Sequence, residues 1–361
     1  MDSSPLQFTA PSVIRATSST RSVLSVTLSG HGDFDKVKFE KAPLPVRLKA
    51  DHIEVEVFYC GMNFTDNYLR LGIIRSTDFP VIMGSECTGV VRRVGCAVTN
   101  FEVGQPVLCL RMQGGLFRRL VHVRPRYCFP LPSTVSLVNA AGLGFNSMLA
   151  YLCLFWSGRL RENHTLFMQS IGGGVGTSVV QLAQTVRGVT ILGTASDSKR
   201  SKLLSLGVTR VFHHEEDYVE EILEAYPDGL DMVINSNGGD DVEKCIKLLK
   251  PFGRFIIIGS NSSAAYPKAC WLGKPTWNSG NIASSEIIRK NVIVTGVNAG
   301  DFLENSPQGA RCVMEQIFRL HASREIKPIV DCFLSLSKVT DGLRKLSSRK
   351  NYGKVVLVVR L

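Results

Sequence analysis

The 361-residue sequence predicts an α/β chain of two domains, one mostly β and one built on a doubly wound parallel sheet. Three observations predict it. The length exceeds one ordinary domain and suits two. Near residue 147 the apolar pattern changes from short strands with turn signals to apolar strands separated by amphipathic helices. A glycine run, Gly172-Gly173-Gly174-Val175-Gly176, stands between the first of those strands and the helix that follows.

Residues 23–146 form the mostly β domain. Ile53 to Val57 alternate with period two, Thr88 to Val91 read as a strand, and Gly84, Gly89, Gly95 and Gly104 punctuate the turns. Residues 147–300 form the parallel-sheet domain. Its strands are Leu166 to Met168, Thr190 to Leu192, Asp231 to Ile234 and Phe255 to Ile258, with Ile293 and Val294 suggesting a further one. Helices lie between them. Val175, Val179, Leu182, Ala183 and Val186 recur at helical spacing, and Ser198 to Leu206 is a helix with Gly207 at its C-terminal cap. Val242, Cys245, Ile246 and Leu249 share one helical face. Residues 301–361 carry one helix, about Gln308 to Leu320, and a last strand, Val355 to Val358; they return to the first domain.

Residues 1–22 are Ser/Thr-rich, with Arg15, Arg21 and the single acid Asp2. They read as a disordered tail, with an organelle transit peptide as the alternative. The longest apolar run, Met148 to Trp156, has nine residues. A bilayer span needs roughly 20, so no transmembrane helix is expected. Ten scattered cysteines without a CxxC pair, and no apolar leader, read as reduced thiols in a cytoplasmic compartment. The net charge is +11, with basic clusters at Arg118-Arg119, Arg124, Arg126 and Lys338 to Lys354. No zinc finger, RNA-binding motif or basic recognition helix accompanies them, so no nucleic acid partner is expected and the positive face reads as solvated.

A strand, a glycine-rich turn and a helix make an anion site. Glycines admit a pyrophosphate close to the backbone, and the helix start supplies N–H groups and a positive dipole end. Gly173 would lie nearest the phosphates and Gly176 would permit tight helix–strand packing. The GxGxxG pattern lacks its first glycine, where Ile171 stands. The end of the second strand discriminates between the two nicotinamide cofactors. An NAD site places an acid there, about 20 residues on, for the ribose hydroxyls. Here stand Ala195 and Ser196, followed by Lys199 and Arg200. Small polar and basic groups suit a 2′-phosphate, so the expected cofactor is NADPH. Asp197 would favour NADH if the strand ran two residues further.

The segments Cys60-Gly61-Met62-Asn63-Phe64-Thr65-Asp66-Asn67-Tyr68-Leu69-Arg70-Leu71-Gly72 and Met83-Gly84-Ser85-Glu86-Cys87-Thr88-Gly89-Val90-Val91, with the glycine run, resemble the medium-chain dehydrogenase/reductase superfamily. The likeness lies in its zinc-free quinone oxidoreductase branch and runs from about residue 23 to 359. Ile326-Lys327-Pro328 and Asn351-Tyr352-Gly353-Lys354-Val355 also fit. Within the branch, Asp35 to Lys38, Gly193 to Ser196, Asp217 to Ile222 and Leu248 to Gly253 are similar to the synaptic vesicle membrane protein VAT-1 homologue type. The resemblance implies a GroES-like catalytic domain, a Rossmann cofactor domain, a homodimer, and peripheral association with vesicle or mitochondrial membranes.

It also implies site residues. Zinc members of the superfamily hold a catalytic metal at positions matched here by Asn63, Ser85 and Leu143, a poor donor set. Cys96, Cys109 and Cys128 lack the spacing of the structural zinc lobe. Without a metal, a carbonyl must be polarised by hydrogen bonds. Asn63 is the candidate amide donor, Thr65 falls at the proton-relay hydroxyl, and Tyr68 is a candidate for stacking or donation, with local helix structure as its alternative. Asp66 is expected to pair with a base such as Arg70. The cofactor set is Gly172 to Gly176, Ser196, Lys199, Arg200, His214, Asn235, Asn351 and Lys354. His214 replaces a phosphate-binding tyrosine, Asn235 a strand-end aspartate, and Ile74 a pocket tyrosine. The acceptor is a quinone or an α,β-unsaturated carbonyl; the alternative function is a weakly active, membrane-associated, NADPH-binding scaffold. Lys268, Trp271, Lys274 and Trp277 in an insertion at 264–290 suit a membrane interface, a lid or a dimer contact.

Overall fold

The computed structural model describes residues 19–76, 78–239, 241–261 and 282–360. Lys268, Trp271, Lys274 and Trp277, and residues 1–18 of the expected tail, lie outside them. The chain divides into two units, Met1–Phe145 with Gly300–Leu361, and Asn146–Ala299.

In the first unit β1 (Thr20–Leu28) pairs along its whole length with β2 (Val37–Pro45). Thr20, Arg21 and Ser22, read as tail, are therefore strand: Val23, Val26 and Leu28 are buried and draw the chain onto the sheet. β1 also pairs with the short β4 (Val81–Ile82). A larger sheet contains β3 (Ile53–Met62), β5 (Glu86–Val94), β6 (Pro106–Leu110), β7 (Leu120–Val123) and β8 (Cys128–Pro130). It is completed from the far end of the chain by β15 (Val330–Ser335) and β16 (Lys354–Val358). β16 runs antiparallel to β3, with Val355 opposite Met62. Val55, Val57, Val91, Val107 and Val356 on these strands are fully buried or nearly so.

The tail holds more than the expected helix and strand. Helices Ala299–Asn305 and Val339–Ser347 and strand β15 join the helix Pro307–Ala322. In the Val339–Ser347 helix, Val339, Leu343 and Leu346 are buried at helical spacing. The basic residues around them hid this stripe. They do not form one solvated face either. Lys354 is 2% exposed, Lys345 pairs with Asp331, and Arg344 lies over the Phe34 ring, its guanidinium carbon 4.2 Å from the centroid. Arg118 is buried too, donating to the Pro43 carbonyl at 3.0 Å.

The second unit has one six-stranded sheet. Its strands are β9 (Thr165–Met168), β10 (Thr190–Thr194), β11 (Arg210–Phe212), β12 (Leu230–Asn235), β13 (Leu249–Ile257) and β14 (Ile293–Gly296). Their order is β11-β10-β9-β12-β13-β14, every pair parallel. This is the doubly wound arrangement, and its strand order reverses between β9 and β12, where such sheets bind ligands. The glycine run follows β9 directly. One core face contains Phe167, Phe212, Tyr218, Val233 and Phe255, with Tyr218 stacked on Phe167 at 5.0 Å. Leu249, expected on a helix, opens β13, because the helix Asp241–Lys247 has already ended.

The segment Leu137–Ser157 is long and apolar enough to cross a membrane by length and composition, against the expectation that no helix would be. The sequence run was interrupted by Asn146 and Ser147, which a 21-residue helical window tolerates. It is 72% buried inside the protein, and it departs from helical geometry at Gly144 (φ 15°, ψ −133°).

Candidate active and cofactor sites

In the first unit, Asn63 lies between β3 and the helix α1 (Phe64–Leu71) and caps that helix with extended backbone. Asp66, three residues on, accepts the Asn63 N–H at 2.8 Å. The Asn63 side chain is engaged elsewhere. Its Nδ2 donates to Glu86 Oε1 at 2.9 Å, and its Oδ1 accepts from Lys354 Nζ at 2.8 Å. Lys354 Nζ also forms an ion pair with Glu86 Oε1, and both side chains are almost fully buried. The other carboxylate oxygen, Glu86 Oε2, accepts the Phe145 N–H at 2.8 Å. A carboxylate removed from water is thus met by a cation, an amide and a peptide N–H.

Two glycines make room for that carboxylate. A Cβ at Gly61 would stand 2.3 Å from Glu86 Oε1, and one at Gly144 would stand 1.9 Å from Glu86 Oε2. Neither position accepts a side chain without displacing Glu86. One Asn63 Nδ2 hydrogen remains after Glu86 has taken the other, and Asn63 is half-buried.

The expected pairing of Asp66 with Arg70 does not form. Arg70 donates instead to Asn67 Oδ1 at 3.1 Å and to the Gly32 carbonyl at 2.6 Å, and it covers the Phe34 ring. Asp66 is fully buried, and burial lifts its carboxyl to about 7, against the opposing pull of the Asn63 N–H and Lys354. Thr65 Oγ1 is buried without a hydrogen-bond partner. The Thr65 carbonyl accepts from Gln113 Nε2 at 3.1 Å. Tyr68 is 3% exposed, with its ring edge-on to Phe64 at 5.3 Å, on the packed side of α1. Ile74 is buried as well.

At the positions matched to zinc ligands, Leu143 is buried and offers no donor, and Ser85 Oγ accepts the Gln113 N–H at 3.0 Å. Among the described residues no group of three His, Cys, Asp or Glu could hold a metal ion.

In the second unit the glycine turn is tied to β10: Ser170 N–H donates to Thr194 Oγ1 at 3.1 Å and Ile171 N–H to the Thr194 carbonyl at 3.0 Å. The helix Gly174–Gln184 starts immediately after. Its first N–H groups, from Gly174, Val175 and Gly176, have no acceptor one turn back. A Cβ at Gly176 would meet the Ile171 carbonyl oxygen at 2.1 Å, and one at Gly174 would meet Asn146 Nδ2 at 2.0 Å. Ile171, where GxGxxG has glycine, is accommodated by Gly193 on β10; a Cβ there would stand 2.8 Å from Ile171 Cβ.

Lys199 lies on the helix Asp197–Leu206, and its stem covers the turn: a Cβ at Gly172 would stand 2.7 Å from Lys199 Cδ. Ser196 caps that helix start, with its Oγ 3.1 Å from Ser198 Oγ. Arg200 is held by the Val211 carbonyl at 2.6 Å and by Asp197 at 3.2 Å. β10 ends at Thr194, so Asp197 falls on the helix and not at the strand end. His214 is exposed beside His213, their rings 4.2 Å apart. Asn235 is fully buried at the end of β12, where its Oδ1 accepts the Asn237 and Gly238 N–H groups at 2.9 and 2.7 Å. Asn351 is buried and donates to the Gly353 carbonyl at 2.8 Å, shaping the turn before β16. The structure therefore lays the Lys199 stem against the glycine turn and sets Ser196 at the start of the helix that carries Lys199. It places Lys354 with Asn63 in the first unit, commits Asn235 to its own loop, and gives Glu86 a role the sequence reading had not assigned.

Asp66 generates a pH test. Its folded carboxyl is raised above the unfolded value, so its contribution to stability is complete below about pH 4 and is lost as pH rises through about 7. Asp66→Asn keeps an acceptor for the Asn63 N–H and removes the titration. From pH 4 to 8 the urea midpoint of the unsubstituted protein should fall relative to that of the variant; parallel profiles would contradict the assignment.

Residues 49–133 match the alcohol dehydrogenase GroES-like domain family, and residues 174–315 match the zinc-binding dehydrogenase family. The chain is 35% identical over 337 residues to the synaptic vesicle membrane protein VAT-1 homolog of Danio rerio, covering 92% of this chain and 69% of the relative. It superposes on the human synaptic vesicle membrane protein VAT-1 homolog-like protein with a TM-score of 0.81 at 28% identity, covering 94% and 99% of the two chains. It shares the fold of an Escherichia coli quinone oxidoreductase complexed with NADPH, with a TM-score of 0.82 at 22% identity over 93% and 99%. The chain belongs to the alcohol dehydrogenase-like, medium-chain dehydrogenase/reductase superfamily of oxidoreductases, in its VAT-1-like group.

Proposed function

We propose that the protein is a zinc-independent oxidoreductase that uses NADPH to reduce quinones or α,β-unsaturated carbonyl compounds. The observation that carries the cofactor half is Lys199 lying over Gly172 at a helix start with unspent N–H groups. An anion fits there by both charge and dipole. Gly172 to Gly176 would hold the pyrophosphate, while Ser196 and Lys199 would meet the 2′-phosphate. Arg200, already paired, would add charge more than a contact. Bound NADPH supplies a hydride. A quinone oxidoreductase of the same fold is known complexed with NADPH.

The acceptor half rests on Asn63. With Oδ1 held by Lys354 and one amide hydrogen held by Glu86, the side chain cannot rotate, and its second hydrogen is presented in a fixed direction. That hydrogen would donate to the acceptor's carbonyl oxygen as negative charge develops on it. Thr65 Oγ1, buried and without a partner, is the hydroxyl available to pass a proton to the oxyanion. Tyr68 would support this loop by packing. In solution the protein would be a homodimer joined through β14, the edge strand of the second unit's sheet.

A second reading is a cofactor-binding scaffold of low turnover at a membrane surface. The relatives' description as synaptic vesicle membrane proteins favours it, as does Ile74 at a position where quinone reductases carry a tyrosine. A panel of quinones and enals with NADPH separates the two: tight NADPH binding with no oxidation by any acceptor selects the scaffold.

Lys199→Ala should weaken NADPH binding roughly 10- to 100-fold and leave NADH unchanged, since a charge-assisted bond to phosphate is worth about 1.5–3 kcal/mol. Equal losses for both cofactors in isothermal titration would refute the 2′-phosphate contact. Asn63→Ala should lower kcat about 10²-fold, the typical effect of losing one oxyanion donor, with the NADPH Kd preserved; unchanged kcat would dismiss Asn63. Light scattering on the purified chain should return twice its 39.7 kDa mass, and a monomer would remove the β14 contact.

A further inference from the structure

Three cysteines stand side by side across the large sheet of the first unit. Cys87 on β5 is the register partner of Cys109 on β6, and Cys109 is the partner of Cys128 on β8. Directly opposite residues of antiparallel strands share one face of the sheet, so the thiols form a row. All three are fully buried. Cys109 Sγ and Cys128 Sγ are 3.7 Å apart. Opposed residues in such a ladder have Cα atoms about 4.5–5.5 Å apart. A disulfide spans roughly 4.4–6.8 Å. Rotation of the two side chains is enough to close the bond, and the backbone can stay in register.

We propose that Cys109 and Cys128 are a dithiol modification site, which a peroxide converts to a disulfide joining β6 to β8. Cys109 is the attacking sulfur. Hydrogen bonds from the Cys128 and Cys87 thiols draw its thiol down, while burial and the hydrogen bond to Cys109 push Cys128 up. The thiolate is the nucleophile. The Cys109 thiolate takes one peroxide oxygen and becomes a sulfenic acid as the O–O bond breaks; the other oxygen leaves as water after protonation. Cys128 then gives up its proton, its sulfur attacks the sulfenic sulfur, and hydroxide leaves with that proton as a second water. Two thiols and one hydrogen peroxide yield one disulfide and two waters. The thiols are oxidised by two electrons and the peroxide is reduced.

β8 ends the path of the sheet, which gives a small oxidant a way in through local opening of an edge strand. The site also neighbours the Asn63 cluster. Cys87 follows Glu86 directly, and Leu110, after Cys109, is the register partner of Glu86. β6 leads into the turn from which Gln113 donates to the Thr65 carbonyl. The modification itself does not depend on the proposed activity.

The test uses the reduced full-length chain with Cys96 and Cys312, both exposed, changed to alanine to suppress intermolecular bridges. After hydrogen peroxide, remaining thiols are alkylated in denaturant and the protein is digested with trypsin. The expected product is peptide 94–111 joined to peptide 127–159, lost on treatment with dithiothreitol before alkylation and absent from Cys109→Ser and Cys128→Ala. Full alkylation of both cysteines, at peroxide doses that oxidise Cys96 in the unsubstituted chain, would overturn the proposal. So would a bridge that survives either substitution, or one that joins Cys87 to Cys109. If a substitution prevents folding, fragment-ion assignment of the bridge in the parent chain decides the same question.

Discussion

The first unit depends on a buried ion pair. Glu86 and Lys354 lie at the meeting of β5, β16, the end of β3 and the break in the helix Leu137–Tyr151. Removing a carboxylate and an ammonium from water costs several kcal/mol per ion. Here each charge is answered: Glu86 by Lys354, Asn63 and the Phe145 N–H, and Lys354 by Glu86 and Asn63. Deleting either partner would strand a charge where no water can reach it. The pair therefore fixes more than stability. It obliges Gly61 and Gly144 to lack side chains, fixes the break in the helix beside Phe145, and sets the orientation of the Asn63 amide.

The second unit solves a different problem with the same residue type. Its glycines bring backbone to backbone, so that the helix Gly174–Gln184 starts hard against Ile171 in the turn that follows β9. Ile171 puts a side chain where the motif has none. Gly193 removes the conflict. The missing glycine has been exchanged for one on the neighbouring strand, and Ile171 becomes a fully buried core residue that anchors the turn to β10. The motif is better understood as a demand on local volume than as a string of letters.

That distinction explains what could be read in advance. The strand–turn–helix around residues 172–176 is local, and its periodicity and glycines lie within about twenty residues; so does the second strand that brings Lys199 over Gly172. The Asn63 cluster is not local. Lys354 is 291 residues from Asn63, and in the sequence it merges with Lys338, Arg344, Lys345 and Lys350 into what looks like a basic surface. One signal was present: Glu86 is a lone acid among Cys87, Thr88, Gly89, Val90 and Val91, in a strand whose neighbours are apolar. A charge at such a position requires a buried partner, but only the pairing of β16 with β3 identifies it. The Val339–Ser347 helix was missed for a related reason, since basic residues flank its apolar stripe.

What each unit leaves unsatisfied says most about its chemistry. Buried polar groups are nearly always paired. Around Asn63, Thr65 Oγ1, Asp66 Oδ1 and Gln113 Oε1 are buried with no partner, and Asn63 Nδ2 carries one hydrogen beyond the one Glu86 accepts. Asn63 and Thr65 stand within three residues at the start of α1, and the carbonyl reduction proposed above would draw on one donor and one source of a proton. In the second unit a helix starts at Gly174, where first-turn N–H groups lack an intrahelical acceptor, and the Lys199 stem lies against Gly172 in the turn before it. The buried pair of Glu86 and Lys354 fixes the direction of the Asn63 amide, and the carbonyl chemistry proposed above draws on that fixed direction.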